Sequence, residues 1–146
     1  KQKTAYEIGV RLVGSEMCIR DRPTRKSKMF PIQRSAGHIP GISWGTSYNG
    51  FAWAVAVATD KELDLYGQTV STLAEIDRVL GELGTDKTRL LNATVYITNM
   101  QLRGEMHRAW CEWIGDDPQR WPQRACVGVD LYQKALVEIV MIAACE

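Results

Sequence analysis

The chain has 146 residues, 45% of them hydrophobic and 24% charged, with a formal net charge of +1. That is enough for one globular domain with a real core. Its longest apolar run, Phe51 to Ala58, is too short to span a bilayer.

The charge is unevenly placed. Lys1 to Glu7 and Val13 to Arg22 resemble a translated sequencing adapter, and they show no amphipathic period, secretory core or cleavage pattern. Pro23 to Lys28 are basic and polar, and Met29 is a candidate for the natural start. Residues 1–28 are therefore expected to be an artefactual or disordered extension, and 29–146 a single domain. From Met29 onward there are 10 Lys and Arg against 14 Asp and Glu, a net charge of −4 with no basic run. That balance argues against a nucleic-acid backbone as partner. Cys111, Cys126 and Cys145 are an odd number without ligand spacing, which points to a reducing cytoplasm rather than a disulfide framework.

In chain order, Ile42 to Tyr48 reads as a first strand, and Asn49-Gly50 as a hairpin turn. Phe51 to Ala58 is continuously apolar, which predicts a strand buried on both faces. Val70, Leu73, Ile76, Leu80 and Leu83 recur at helical spacing, with Gly84 placed to end the helix. Arg89 to Thr98 alternates, with Leu91, Ala93, Val95 and Ile97 on one face. A second helix runs from Arg103 to Ile114, carrying Met106, Trp110, Trp113 and Ile114 on one stripe, and Gly115-Asp-Asp-Pro118 stops it. Pro122 to Ala144 reads as two strands joined by a short polar turn. The order β-β-α-β-α-β-β predicts an α+β fold: one mixed β-sheet with two helices on one face. With no third helix, the other face would be covered by further subunits.

No metal or cofactor is expected. His38 and His107 stand alone, no Cys-x-x-Cys or Asp-rich loop exists, and Gly41, Gly45 and Gly50 do not form a dinucleotide turn. Trp110 and Trp113 read as core, Trp53 as part of the buried strand, and Trp44 and Trp121 as pocket candidates near loops. Two charges are awkward. Arg124 opens one of the last strands, and Glu138 lies between Val137 and Ile139 in the other, sharing a face with Leu136, Val140 and Ile142. An ionised carboxylate there is costly unless paired, hydrogen-bonded or neutralised. It is either a functional group, with Arg124 on the adjoining strand, or a structural ion pair or sheet-edge residue. Cys126 reads first as a small core residue.

Arg124-Ala-Cys-Val-Gly-Val, Leu136-Val-Glu138-Ile and Gly67-Gln-Thr resemble the Rid (YjgF-like) family of reactive intermediate deaminases, as do Asp77 to Lys87 and Ala93-Thr-Val-Tyr-Ile. The resemblance runs from about Ile32 to the end. It implies a chorismate-mutase-like fold and a homotrimer with sites between subunits. It also implies hydrolysis of enamine/imine intermediates released by pyridoxal-phosphate enzymes, such as 2-iminobutanoate and 2-iminopropanoate, to 2-keto acids and ammonia. Arg124 matches the family's carboxylate clamp and Glu138 its water-directing acid/base. The backbone at Cys126 would lie beside the bound carboxylate, His107 stands where the family has an asparagine, and Trp44 is nearest to its site tyrosine. Ala54-Val55-Ala56 stands at about the place of a Ser-Gly-Gln signature. A non-catalytic small-carboxylate sensor of the same fold, or an endoribonuclease, are the alternatives.

Overall fold

The computed structural model describes residues 31–145. The expected extension over 1–28 and the start at Met29 lie outside the described residues. Six strands form one sheet: β1 (Gln33–Ala36), β2 (Ser43–Tyr48), β3 (Phe51–Val57), β4 (Leu90–Ile97), β5 (Gln123–Gly128) and β6 (Val137–Ala144). Two helices, α1 (Leu65–Glu82) and α2 (Arg103–Ile114), follow β3 and β4 respectively. The spatial order is β1-β2-β3-β6-β4-β5, antiparallel throughout except for the parallel β4–β5 pair.

Local chemistry accounts for the elements. Asn49 and Gly50 have φ of +50° and +83°, the paired left-handed geometry that matches strand twist in a two-residue hairpin. The Asp64 side chain accepts from Gly67 N–H at 2.8 Å and caps α1. Gly84, at φ +77°, ends the helix, and Thr85 N–H closes back on Leu80 C=O at 3.0 Å. Leu73, Ile76, Val79 and Leu80 face the sheet, while Val70 is exposed. The α2 stripe buries Met106, Trp110 and Ile114.

Below the helices lie Ala52, Ala54 and Ala56 of β3, Ala93, Val95 and Ile97 of β4, and Val137, Ile139, Met141 and Ala143 of β6, all buried. Each larger member contributes roughly 1.5–3 kcal/mol of burial. Gln68 is fully buried and joins distant parts of the chain. Its amide N–H donates to Lys61, Leu63 and Lys134 carbonyls, and its carbonyl accepts from Leu136 N–H. The Gly67-Gln-Thr motif is thus a structural latch between the α1 entrance and the β5–β6 connection.

Four expectations need correction. The sheet has an additional strand, β1, ahead of those expected. β5 and β6 do not form a hairpin, because β4 lies between them. Leu91 is exposed and Leu90 buried, since a register irregularity between Leu90 and Asn92 resets the alternation. β3 is buried on one face only: Phe51 and Trp53 are exposed on the other.

Candidate functional site

The helix-covered face ends at β5, an edge strand. Arg124 pairs in register with Ala93, and Cys126 with Val95, both buried residues of β4, so Arg124 and Cys126 face α2. Above them α2 presents His107, Trp110, Cys111 and Ile114 at helical spacing. With Trp121 these residues and Arg124 line a cleft of about 590 Å³.

Arg124 is the centre of the cleft's electrostatics. Its guanidinium carbon lies 4.9 Å from the Trp110 ring centroid, and Nη2 is 3.1 Å from His107 Nδ1. Arginine can only donate, so His107 Nδ1 accepts, which leaves Nε2 as the protonated ring nitrogen. Arg124 Nη1 is buried with no hydrogen-bond partner, and no Asp or Glu among the described residues forms an ion pair with this guanidinium. Desolvation lowers its pKa below the usual arginine value, and nearby Arg103 pushes the same way, while Cys126 and Cys111 oppose. The folded chain holds this cation at a cost that a bound anion would relieve.

Glu138 lies elsewhere. It stands opposite Val57 on β3 and Tyr96 on β4, on the face that no helix covers. β6 is central, so Glu138 is not at a sheet edge, and no described residue pairs with it or hydrogen-bonds to it. Within one chain Arg124 and Glu138 therefore do not meet, contrary to the expectation of a pair on adjoining strands. Trp44, 8% exposed, belongs to the buried core cluster at the β1–β2 irregularity, with its ring 4.8 Å from that of His38, which in turn lies 3.9 Å from Glu75 of α1. With Trp53 and Val140 it borders a shallow hollow of about 170 Å³, not the Arg124 cleft. Ala54 and Ala56 are core and Val55 borders the same hollow, so this segment forms no wall beside Arg124.

The structure thus brings together Arg124, Cys126 and His107, and separates Trp44 and Glu138 from them. Sequence reasoning missed Trp110 as the platform under the guanidinium and Cys111 as a cleft residue. Cys111 Sγ lies 3.6 Å from His107 Nε2. The signal was there: 107, 110, 111 and 114 form one helical stripe that turns from polar to apolar. No group of three or more His, Cys, Asp or Glu among the described residues is placed to hold a metal. No described helix is long and apolar enough to cross a membrane.

A six-stranded mixed sheet with two helices on one face and an arginine cleft at its edge defines the class. The protein-family description "Endoribonuclease L-PSP" matches residues 52–145. A "RutC family protein" of Haemophilus ducreyi is 46% identical over 99 residues, covering 66% of this chain and 83% of that protein. The "RutC family protein YoaB" of Escherichia coli is 31% identical over 99 residues, covering 66% and 84%. A crystal structure of a YjgF family member from Neisseria meningitidis superimposes with a TM-score of 0.73 at 32% identity, covering 81% of this chain and 98% of that one. The chain belongs to the Rid/YjgF family, the one described as Endoribonuclease L-PSP.

Proposed function

We propose that this protein hydrolyses reactive enamine/imine intermediates to 2-keto acids and ammonia, at sites formed between copies of the chain. The observation that carries this reading is Arg124, a partly desolvated guanidinium that no described carboxylate pairs with, although Asp116 lines the same cleft. A planar guanidinium suits a carboxylate bidentately. Opposite sheet faces prevent Glu138 of the same chain from reaching that ligand, so the acid comes from an adjoining copy. The uncovered apolar face, with Trp53 at 40% and Phe51 at 43% exposure, is the surface such a homotrimer would bury.

The chemistry balances without a cofactor. Arg124 and His107 fix the carboxylate end of the imine. Water adds to the imine carbon as Glu138 takes one of its protons and passes it to the imine nitrogen, forming a carbinolamine. The hydroxyl proton is then taken and handed to the amine as the C=O forms and the C–N bond breaks, and ammonia leaves.

Trapping with semicarbazide tests the reading. An imino acid generated in place by an amino-acid oxidase should be trapped less when the protein is present. Arg124→Met and Glu138→Gln should each lose at least about tenfold in rate. Co-refolding the two inactive variants should restore about a quarter of the sites, because random mixing reunites an intact Arg124 with an intact Glu138 across an interface. Activity that returns on mixing supports a shared site; its absence rejects one.

Non-catalytic carboxylate binding is the second reading, favoured by the distance of Glu138 from Arg124 within one chain. Stabilisation by 2-keto acids with unchanged trapping would select it. The endoribonuclease description of the family points to RNA as a third substrate class. The net −4 over 29–146 opposes it, and RNA cleavage lost on substituting Arg124 would be needed to revive it.

A further inference from the structure

We infer that the Arg124 cleft selects 2-imino and 2-keto acids with bulky apolar or aromatic side chains, and that Trp121 sets this preference. The inference rests on the carboxylate-anchor reading of Arg124 and adds the substrate class.

The cleft's size is the first observation. About 590 Å³ falls in the range of pockets for drug-sized ligands. In one chain it equals the liquid volume of roughly twenty waters, space beyond a three- or four-carbon acid that a longer side chain would share with the adjoining copy's acid. The second observation is how Trp121 is held. Its side chain is 55% exposed, yet indole Nε1–H donates to Gly115 C=O at 2.8 Å. The residue is anchored at its polar edge while leaving much of its apolar surface uncovered. Ile114 and Pro122 line the same cleft. The third observation is polarity. The guanidinium and His107 can meet a carboxylate, Trp121, Pro122 and Ile114 supply apolar surface for whatever extends beyond it, and Asp116, also lining the cleft, disfavours a second anionic group there. Such surface gains affinity from each added methylene, about 0.8 kcal/mol when fully buried, or close to fourfold.

Isothermal titration calorimetry with pyruvate, 4-methyl-2-oxopentanoate and phenylpyruvate tests this without relying on turnover. On the unaltered protein, phenylpyruvate should bind at least about tenfold more tightly than pyruvate, with the branched acid between them. Trp121→Ala should reduce that ratio to below about threefold, and Trp121→Phe should keep most of it. A ratio near one in the unaltered protein, or a ratio that survives Trp121→Ala, overturns the inference. Arg124→Met separates the two levels: it should weaken all three acids together. If it leaves them bound as before, the carboxylate anchor itself is wrong. If it weakens them but the size ratio is absent, only the substrate class falls.

Discussion

The two faces of the sheet are built from the same strands and differ in almost every other respect. The face under α1 and α2 is closed by Ile139, Met141, Val95 and their neighbours, and its charged residue, Arg124, sits at the margin where β5 runs out from under the core. The other face is apolar but bare. Trp53, Phe51, Val55, Val140 and Ile142 stand on the same face as Glu138, which has no partner among the described residues. Alternation along a strand sends neighbouring residues to opposite destinations, so a single apolar strand serves two different surfaces. In the proposed assembly, fold stability belongs to one face and association to the other. A chemistry that uses a residue from each requires more than one chain.

The sharpest way to break this contrast is to compare Ile139→Ala with Ile142→Ala. Ile139 is fully buried, and its truncation should cost about 2–5 kcal/mol in urea unfolding at any protein concentration. Ile142 is half-buried on the open face, and its truncation should cost about 1 kcal/mol or less in dilute protein. The cost should rise with concentration if that face associates. Equal, concentration-independent losses would abolish the distinction. Next in size, Trp53→Lys should leave the secondary structure intact by circular dichroism but reduce the particle size in light scattering to that of one chain. An unchanged size would remove the open face as the interface.

Arg124→Met should split ligand affinity from stability. The fold should be as stable as before or more so, because an unpaired desolvated charge is exchanged for an apolar side chain. A loss of more than about 2 kcal/mol would recast Arg124 as a structural residue. The smallest effect concerns β1. The Ser35 hydroxyl donates to Glu82, which Arg78 also contacts, and these bonds hold the Glu82 carboxyl below its ordinary pKa. A carboxyl depressed in the folded state contributes fully above its unfolded pKa and loses that contribution as pH falls toward the folded value. Amide exchange in Gln33–Ala36 should therefore quicken relative to β2 below the normal carboxylate range. Equal pH dependence in both strands would show that Glu82 does not secure β1.

The periodic elements were legible in the sequence because their patterns record burial directly. The α1 and α2 spacings, the Asn49-Gly50 turn and the alternation of β4 each follow from one local rule. Adjacency was less legible. Arg124 and Glu138 are close along the chain, yet β4 intervenes, and no residue pattern states which strand lies beside which. β1 was missed because Gln-Arg-Ser-Ala has neither apolar alternation nor branched residues; pairing with β2 and the Ser35–Glu82 contact hold it. The irregularity at Leu90 hid the burial of that residue in the same way, through geometry rather than composition. Within the site, Arg124 was found because a charge in an apolar context stands out. Trp110 was not, because a ring that supports a cation and one that fills a core look alike in sequence.

The Gln68 latch has a consequence for the integrity of the chain. Four backbone groups on both sides of the fold converge on that one amide, so the segment reaching Lys134 and Leu136 is clamped just before the central strand β6. Tyr132, three-quarters or more open to solvent at 81%, and the left-handed Gln133 lie immediately outside the clamp. A protease that severed the chain there would leave the clamp on Lys134 and Leu136 in place, and both fragments should stay docked as one particle.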